Sequence, residues 1–197
     1  MIRHSSVFSR ALSMVAALTL SGCLQQQPTV KSPPSPSPTA PAPARMPAGF
    51  TTASAIVRDL AGARVGMVNF TDTYSGVLVV GNVTGVGLGA HGFHVHAVGK
   101  CEPPFTTAGA HFNPVGKRHG FQSPDGPHLG DLPNLDTPAA GQLRFELLLP
   151  GVSLKGTNAL LDADGAAIVI HGGRDDYKTD PSGDSGSRIA CGILVPR

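Results

Sequence analysis

The stretch Gly92-Phe-His-Val-His-Ala-Val98, GFHVHAV, decides how this chain is read. Side chains at i and i+2 of a β-strand share a face. Phe93 and Val95 therefore point one way, and His94 and His96 the other. An apolar pair suits the inner face of a half-buried strand. Two imidazoles side by side on the opposite face need a reason of their own.

Working outward, the neighbouring segments also read as strands. "TASAIVRD" (52–59), "ARVGMVNFTD" (63–72) and "SGVLVVGNVTG" (75–85) are short alternating runs separated by glycine and polar turns. After Val98 the alternation stops from Gly99 to about residue 140, in a stretch full of glycine, proline and histidine. Strand signals return in "GQLRFELLL" (141–149), "AAIVIHG" (166–172) and "SRIACGILV" (187–195), and no segment has the pattern of a helix. Glycine at 25 residues, aromatics at 5% and the absence of tryptophan also favour an all-β barrel or sandwich over a bundle. A structureless loop of about forty residues inside a compact domain needs something to hold it.

The first 22 residues read as a targeting segment. Arg3 and Arg10 form a basic start, and "ALSMVAALTL" (11–20) is an apolar run too short to span a bilayer. "LSGC" (20–23) resembles a bacterial lipoprotein cleavage box, which implies cleavage before Cys23 and a lipid on its thiol. An ordinary secretory signal that happens to contain a cysteine is the plainer alternative. Residues 23–47, rich in proline, serine and alanine, have no apolar period and read as an extended tether. Residues 48–197 form the globular domain. Taking Arg3 and Arg10 from the 15 basic residues leaves 13, against 13 acidic, so charge points to no nucleic acid partner. The three cysteines, Cys23, Cys101 and Cys191, are an odd number for an exported chain, and a lipid on Cys23 would account for that.

Of the eight histidines, His4 leaves with the leader. Six of the others, His94, His96, His111, His119, His128 and His171, cluster with Asp131 in under half the chain, whereas His91 reads as structural or exposed. Thiolate ligands are scarce, so the donor set is imidazole and carboxylate. Three histidines and an aspartate make a closed tetrahedral zinc set. Several imidazoles around an open position suit copper. The ligand count accommodates both metals.

The motifs "GFHVH", "GAHFNP", "KRHG", "HLGDL", "VIHGGRDD" and "GSRIACG" together resemble the copper–zinc superoxide dismutase family over about residues 53–195. The resemblance implies an eight-stranded antiparallel Greek-key barrel. It implies copper on His94, His96, His111 and His171, and zinc on His111, His119, His128 and Asp131, with His111 shared. It makes Asp175 the carboxylate behind His94 and His119, pairs Cys101 with Cys191, and places Arg188 over the open copper face. Arg174 and Lys178 are what remains of a substrate-guiding loop that is short against the eukaryotic pattern.

The activity implied is dismutation of superoxide to oxygen and hydrogen peroxide, with Arg188 and His111 as the catalytic side chains. The competing class is a non-catalytic copper-binding or copper-delivery module on the same fold, which would be expected to lack part of the ligand set or the arginine. The implied partners are superoxide, a membrane through the N-terminal lipid, and a second copy in a homodimer. The implied location is the cell envelope.

Overall fold

The computed structural model describes residues 49–197. The first strand, β1 (Thr52–Asp59), buries Ala53, Ala55 and Val57 and leaves the residues between them more accessible, which is the alternation its sequence carries. The same logic forms β2 (Arg64–Thr73) and β3 (Gly76–Thr84), joined into an antiparallel meander. The fourth strand, β4 (Gly89–His96), crosses away from β3. It is followed by a single short 3-10 turn at Thr106–Ala108 and then by β5 (Asp131–Thr137). The set is completed by β6 (Gln142–Leu149), β7 (Ala167–His171), β8 (Arg188–Ile193) and the two-residue β9 (Val195–Pro196), which pairs with β1.

The hydrogen-bonded order is β5-β4-β7-β8-β1-β2-β3-β6, antiparallel at every step. The two ends of this path, β5 and β6, approach each other, so the sheet curls into a nearly closed eight-stranded barrel with Greek-key connections. Its inside is filled by Val68, Phe70, Val79, Phe93, Val95, Leu132, Ile168 and Ile170, all fully buried. Phe93 of β4 meets Phe145 of β6 edge-on at 5.1 Å across that interior.

Two expectations from the sequence are corrected here. The stretch 99–140 is not all loop, since it contains β5. Pro133 sits exposed in this strand, and the pairing of β5 with β4 slips between His91 and Phe93. A bulge and a proline both erase a period-2 signal, and both are tolerated because β5 ends the path. Second, β4 is not half-buried: every residue from His91 to His96 is buried. One face packs in the barrel and the other lies under the loops.

β7 is buried at all five positions. Ala167 and Val169 on its outer side pack with Phe105, Ala108 and Cys191 in a second apolar cluster. The Cys101–Cys191 disulfide, spanning 90 residues, ties that covering loop to β8. The disulfide pairing implied by the sequence is therefore present.

Candidate metal centre

Rigid strands and one pinned loop bring four imidazoles to a point. His94 and His96 share the outward face of β4, and His171 ends β7, which pairs with β4 through Phe93–Ile170 and His94–Val169. His111 comes from the loop but is held by a β-bridge to His96. Ring centres lie 4.1 Å apart for His94–His111, 4.8 Å for His96–His111 and 4.9 Å for His94–His171.

Each ring has one nitrogen committed elsewhere. His94 Nε2–H donates to Asp175 Oδ2 at 2.7 Å, His96 Nδ1–H to the Gly109 carbonyl at 2.9 Å, and His171 Nδ1–H to the Gly186 carbonyl at 3.2 Å. These bonds fix the tautomers and leave His94 Nδ1, His96 Nε2 and His171 Nε2 as lone pairs. Together with His111 Nε2 they are buried with no hydrogen-bond partner among the described residues. Four buried, unpartnered nitrogens that converge within 4.8 Å of one another are costly unless a cation takes them. The residues fit copper.

The second set has the same character. His111, His119, His128 and Asp131 offer ligand atoms within the same 4.8 Å limit, all buried. Asp131 Oδ1 lies 2.8 Å from His111 Nδ1 and 3.2 Å from His128 Nδ1, while Oδ2 lies 3.2 Å from His119 Nδ1. The two histidine nitrogens of His111 and His128 are 3.4 Å apart. Three nitrogens and a carboxylate so crowded match the donor set of a closed zinc site. Backbone N–H groups of Gly120 and His128 hold Asp131 Oδ2 in place at 2.9 and 3.0 Å.

Asp175 stands between the two sets. Its Oδ2 accepts from His94, and its Oδ1 accepts from His119 Nε2–H at 2.9 Å and from the Tyr177 backbone N–H at 2.7 Å. Gly183 has φ +67°, and a Cβ there would run into this carboxylate, so the closure of the loop over Asp175 requires glycine.

The electrostatics follow from burial and neighbours. Burial, then the nearby His111 and Arg188, push His96 down to about 2. Burial, then His94, push His171 down to about 3. Burial lowers His111 to about 4 against the opposing hydrogen bond of Asp131. His94 is also lowered, chiefly by burial. The copper-side imidazoles are thus neutral and ready to ligate at ordinary pH. His119 is the exception: burial opposes its charge, but the bonds to Asp131 and Asp175 outweigh that and raise it to about 9. Both carboxylates lie well below the usual range, since the histidine hydrogen bonds outweigh burial.

Arg188 leads into β8 beside this cluster. Its two terminal nitrogens donate to the carbonyls of Phe105 and Gly109, each at 2.7 Å, and the Gly109 carbonyl also takes the bond from His96. The disulfide loop therefore seats both the arginine and a copper-side ring. Arg174 and Lys178 are exposed on the loop after β7. Cys23 and the boundaries of the leader and tether lie outside the described residues.

Sequence reasoning missed the residues that hold the donors. His91, given no role from sequence, is buried, and its Nδ1–H donates to the backbone carbonyl of His171 at 2.8 Å. The alternation that puts Phe93 inside also carries His91 inside, and that signal was available. Nothing in the sequence marked Asn134, which pairs with the backbone of Asp175, Tyr177, whose phenol accepts the Asn134 N–H, or Asp180, which accepts from the His119 backbone N–H and the Arg118 guanidinium, because those partners come from distant segments.

A nearly closed antiparallel barrel bearing a copper-type imidazole set that shares one histidine with a zinc-type set defines a class of two-metal oxidoreductases. The sequence profile of copper/zinc superoxide dismutase matches residues 64–194, and the chain belongs to that family. It is 46% identical over 137 residues to a copper–zinc superoxide dismutase of Aquifex aeolicus, covering 68% of this chain and 81% of the relative. A superoxide dismutase-like protein of Bacillus subtilis is 38% identical over 199 residues, covering 93% and 94%. The crystal structure of such a protein from Bacillus subtilis covers 72% of this chain and 97% of its own at a TM-score of 0.70 and 39% identity. Copper/zinc superoxide dismutase from Brucella abortus covers 73% and 99% at a TM-score of 0.60 and 27% identity.

Proposed function

We propose that this chain is a superoxide dismutase that binds copper at His94, His96, His111 and His171 and zinc at His111, His119, His128 and Asp131. The observation that carries this is the four unpartnered buried nitrogens of the first set, sharing His111 with a second complete set. Bound copper supplies a one-electron couple that oxidises one superoxide to oxygen and reduces another, which takes up two protons, to hydrogen peroxide. Arg188 contributes a fixed positive charge beside that set, where it attracts and orients an anion. With zinc on the Asp131 side of His111, the neutral ring can carry its one proton at Nε2 and release it toward the reduced product. His96 and His171 stay neutral, each keeping only the proton at Nδ1, so they do not take up a second one in competition.

The relative named only as dismutase-like makes a second reading concrete: a copper-binding module without turnover. Retention here of all four copper-side histidines, the whole zinc set and Arg188 favours the enzyme. Elemental analysis of protein produced with both metals, paired with a superoxide-consumption assay, tests it. Zinc alone without superoxide consumption would overturn the enzymatic reading.

The proposal extends to place. "LSGC" ahead of a proline-rich segment supports a lipid on Cys23 and anchoring at the cell envelope, where externally generated superoxide is met. Replacing Cys23→Ser should move the protein to the soluble fraction, or leave it unprocessed, with the domain's activity unchanged. Continued fractionation with membranes would overturn the anchor. Assembly as a homodimer belongs to the same proposal and is read from the mass in solution.

A further inference from the structure

The loop after β7 carries one residue, Tyr177, that touches Asp175, β5 and the 120–122 segment at once. Tyr177 adopts φ +62°, a left-handed conformation that a bulky side chain rarely takes. That conformation turns its backbone N–H onto Asp175 Oδ1 at 2.7 Å, the same oxygen that accepts from His119. Three contacts hold it there. The phenolic oxygen accepts the Asn134 backbone N–H of β5 at 2.7 Å. The carbonyl accepts the Gln122 N–H at 3.0 Å and lies so close over Gly120 that any Cβ at that position would collide with it. The ring packs edge-on against Phe121 at 5.4 Å. Asn134 closes the circuit, since its side chain donates to the Asp175 carbonyl and accepts the Asp175 N–H, both at 2.8 Å.

We propose that Tyr177 is a positioning residue for the zinc site: it sets the angle of the Asp175 carboxylate, and through it the ring of His119, while locking the 119–128 segment to β5. This rests on the metal reading above. A residue that merely stabilised the loop would gain from relief of the left-handed backbone. Here the strained conformation is what presents the N–H to Asp175, and the phenol holds the strain in place.

Tyr177→Phe removes only the oxygen that accepts from Asn134. It should weaken zinc about three- to tenfold in competition with a chelator, the loss that one hydrogen bond supports. It should also shift the visible spectrum of protein carrying cobalt(II) in the zinc position. The decisive measurement is a double-mutant cycle with Asp175→Asn: if Tyr177 acts through that carboxylate, its effect on zinc affinity should vanish in the Asp175→Asn background. Unchanged affinity and cobalt spectrum in Tyr177→Phe, or a loss that persists in full alongside Asp175→Asn, would overturn the proposal. Wild-type protein that takes up no cobalt at the histidine–aspartate set would overturn the metal reading itself, and this one with it.

Discussion

Replacing Asp175→Asn is the sharpest test of how the two metal sets are joined. The asparagine is the same size, but one of its two terminal atoms is now an NH2 group. In the native site all three neighbours on the carboxylate are donors: His94 Nε2–H at 2.7 Å, His119 Nε2–H at 2.9 Å and the Tyr177 N–H at 2.7 Å. Whichever way the amide turns, at least one N–H faces another N–H, and the bond that survives loses its charge. A hydrogen bond to a charged group contributes about 1.5–3 kcal/mol. At 1.4 kcal/mol per factor of ten that is about 10- to 100-fold in affinity, the range expected when the partner of a ligating histidine is lost. The loss should fall mainly on zinc. His94 is built into β4 between two paired strands, whereas His119 lies in a loop and is the ring free to turn. Competition with a chromogenic chelator, monitored together with thermal unfolding, separates a weakened site from a weakened fold. Zinc affinity within about twofold of wild type would refute the reasoning that Asp175 orients His119.

Five further outcomes follow from the same geometry. His119 is raised to about 9 in the metal-free fold, so zinc uptake between pH 6.5 and 9 should expel about one proton, with affinity rising across that window; calorimetry in buffers of different ionisation heat would show no such release if His119 were not a ligand. For the metal-free protein the same group stabilises the fold below 6.5 and loses that contribution as pH rises through about 9. His111 at about 4 and His171 at about 3 work in the opposite sense, eroding stability as pH falls below 6.5, so thermal stability should peak near neutral pH, and a flat profile would contradict both shifts. His171→Ala should remove copper and activity together, while Asp131→Ala should chiefly cost zinc retention and stability; small, equal effects would mean the donor sets are wrongly drawn. Arg188→Ala should lower the rate and weaken its dependence on ionic strength with copper still bound, and unchanged kinetics would remove Arg188 from the site. Cys191→Ser should cost about 2–5 kcal/mol in denaturant unfolding, as expected for a bridge across 90 residues, and should loosen the carbonyls of Phe105 and Gly109 on which Arg188 rests; a full-strength fold without the bridge would contradict this.

The strands with undisturbed alternation were legible in the sequence. The run at 52–59 coincides with β1, and the runs at 141–149 and 187–195 contain β6 and β8. The reason is local: a residue's face in a strand depends only on its parity, and the core selects apolar side chains on one parity. The pair His94–His96 was legible for the same reason, since two ligands two residues apart on one strand need no further structure to face one metal. β5 was not, because Pro133 and a bulge break the parity that carries the signal.

What the sequence determined by itself is therefore the family, the donor residue types and the all-β class, all of which rest on short spacings. Only the tertiary structure decided which nitrogen of each ring is free. That depends on carbonyls and carboxylates brought from far along the chain: Gly109 to His96, Gly186 to His171, and Asp175 to both His94 and His119. It also decided that the imidazole face of β4 lies buried under loops, with burial pushing His94 and His96 below the ordinary histidine range. A tautomer and a desolvated imidazole are properties of surroundings assembled from segments about eighty residues apart, as His94 and Asp175 are, and no local spacing encodes them.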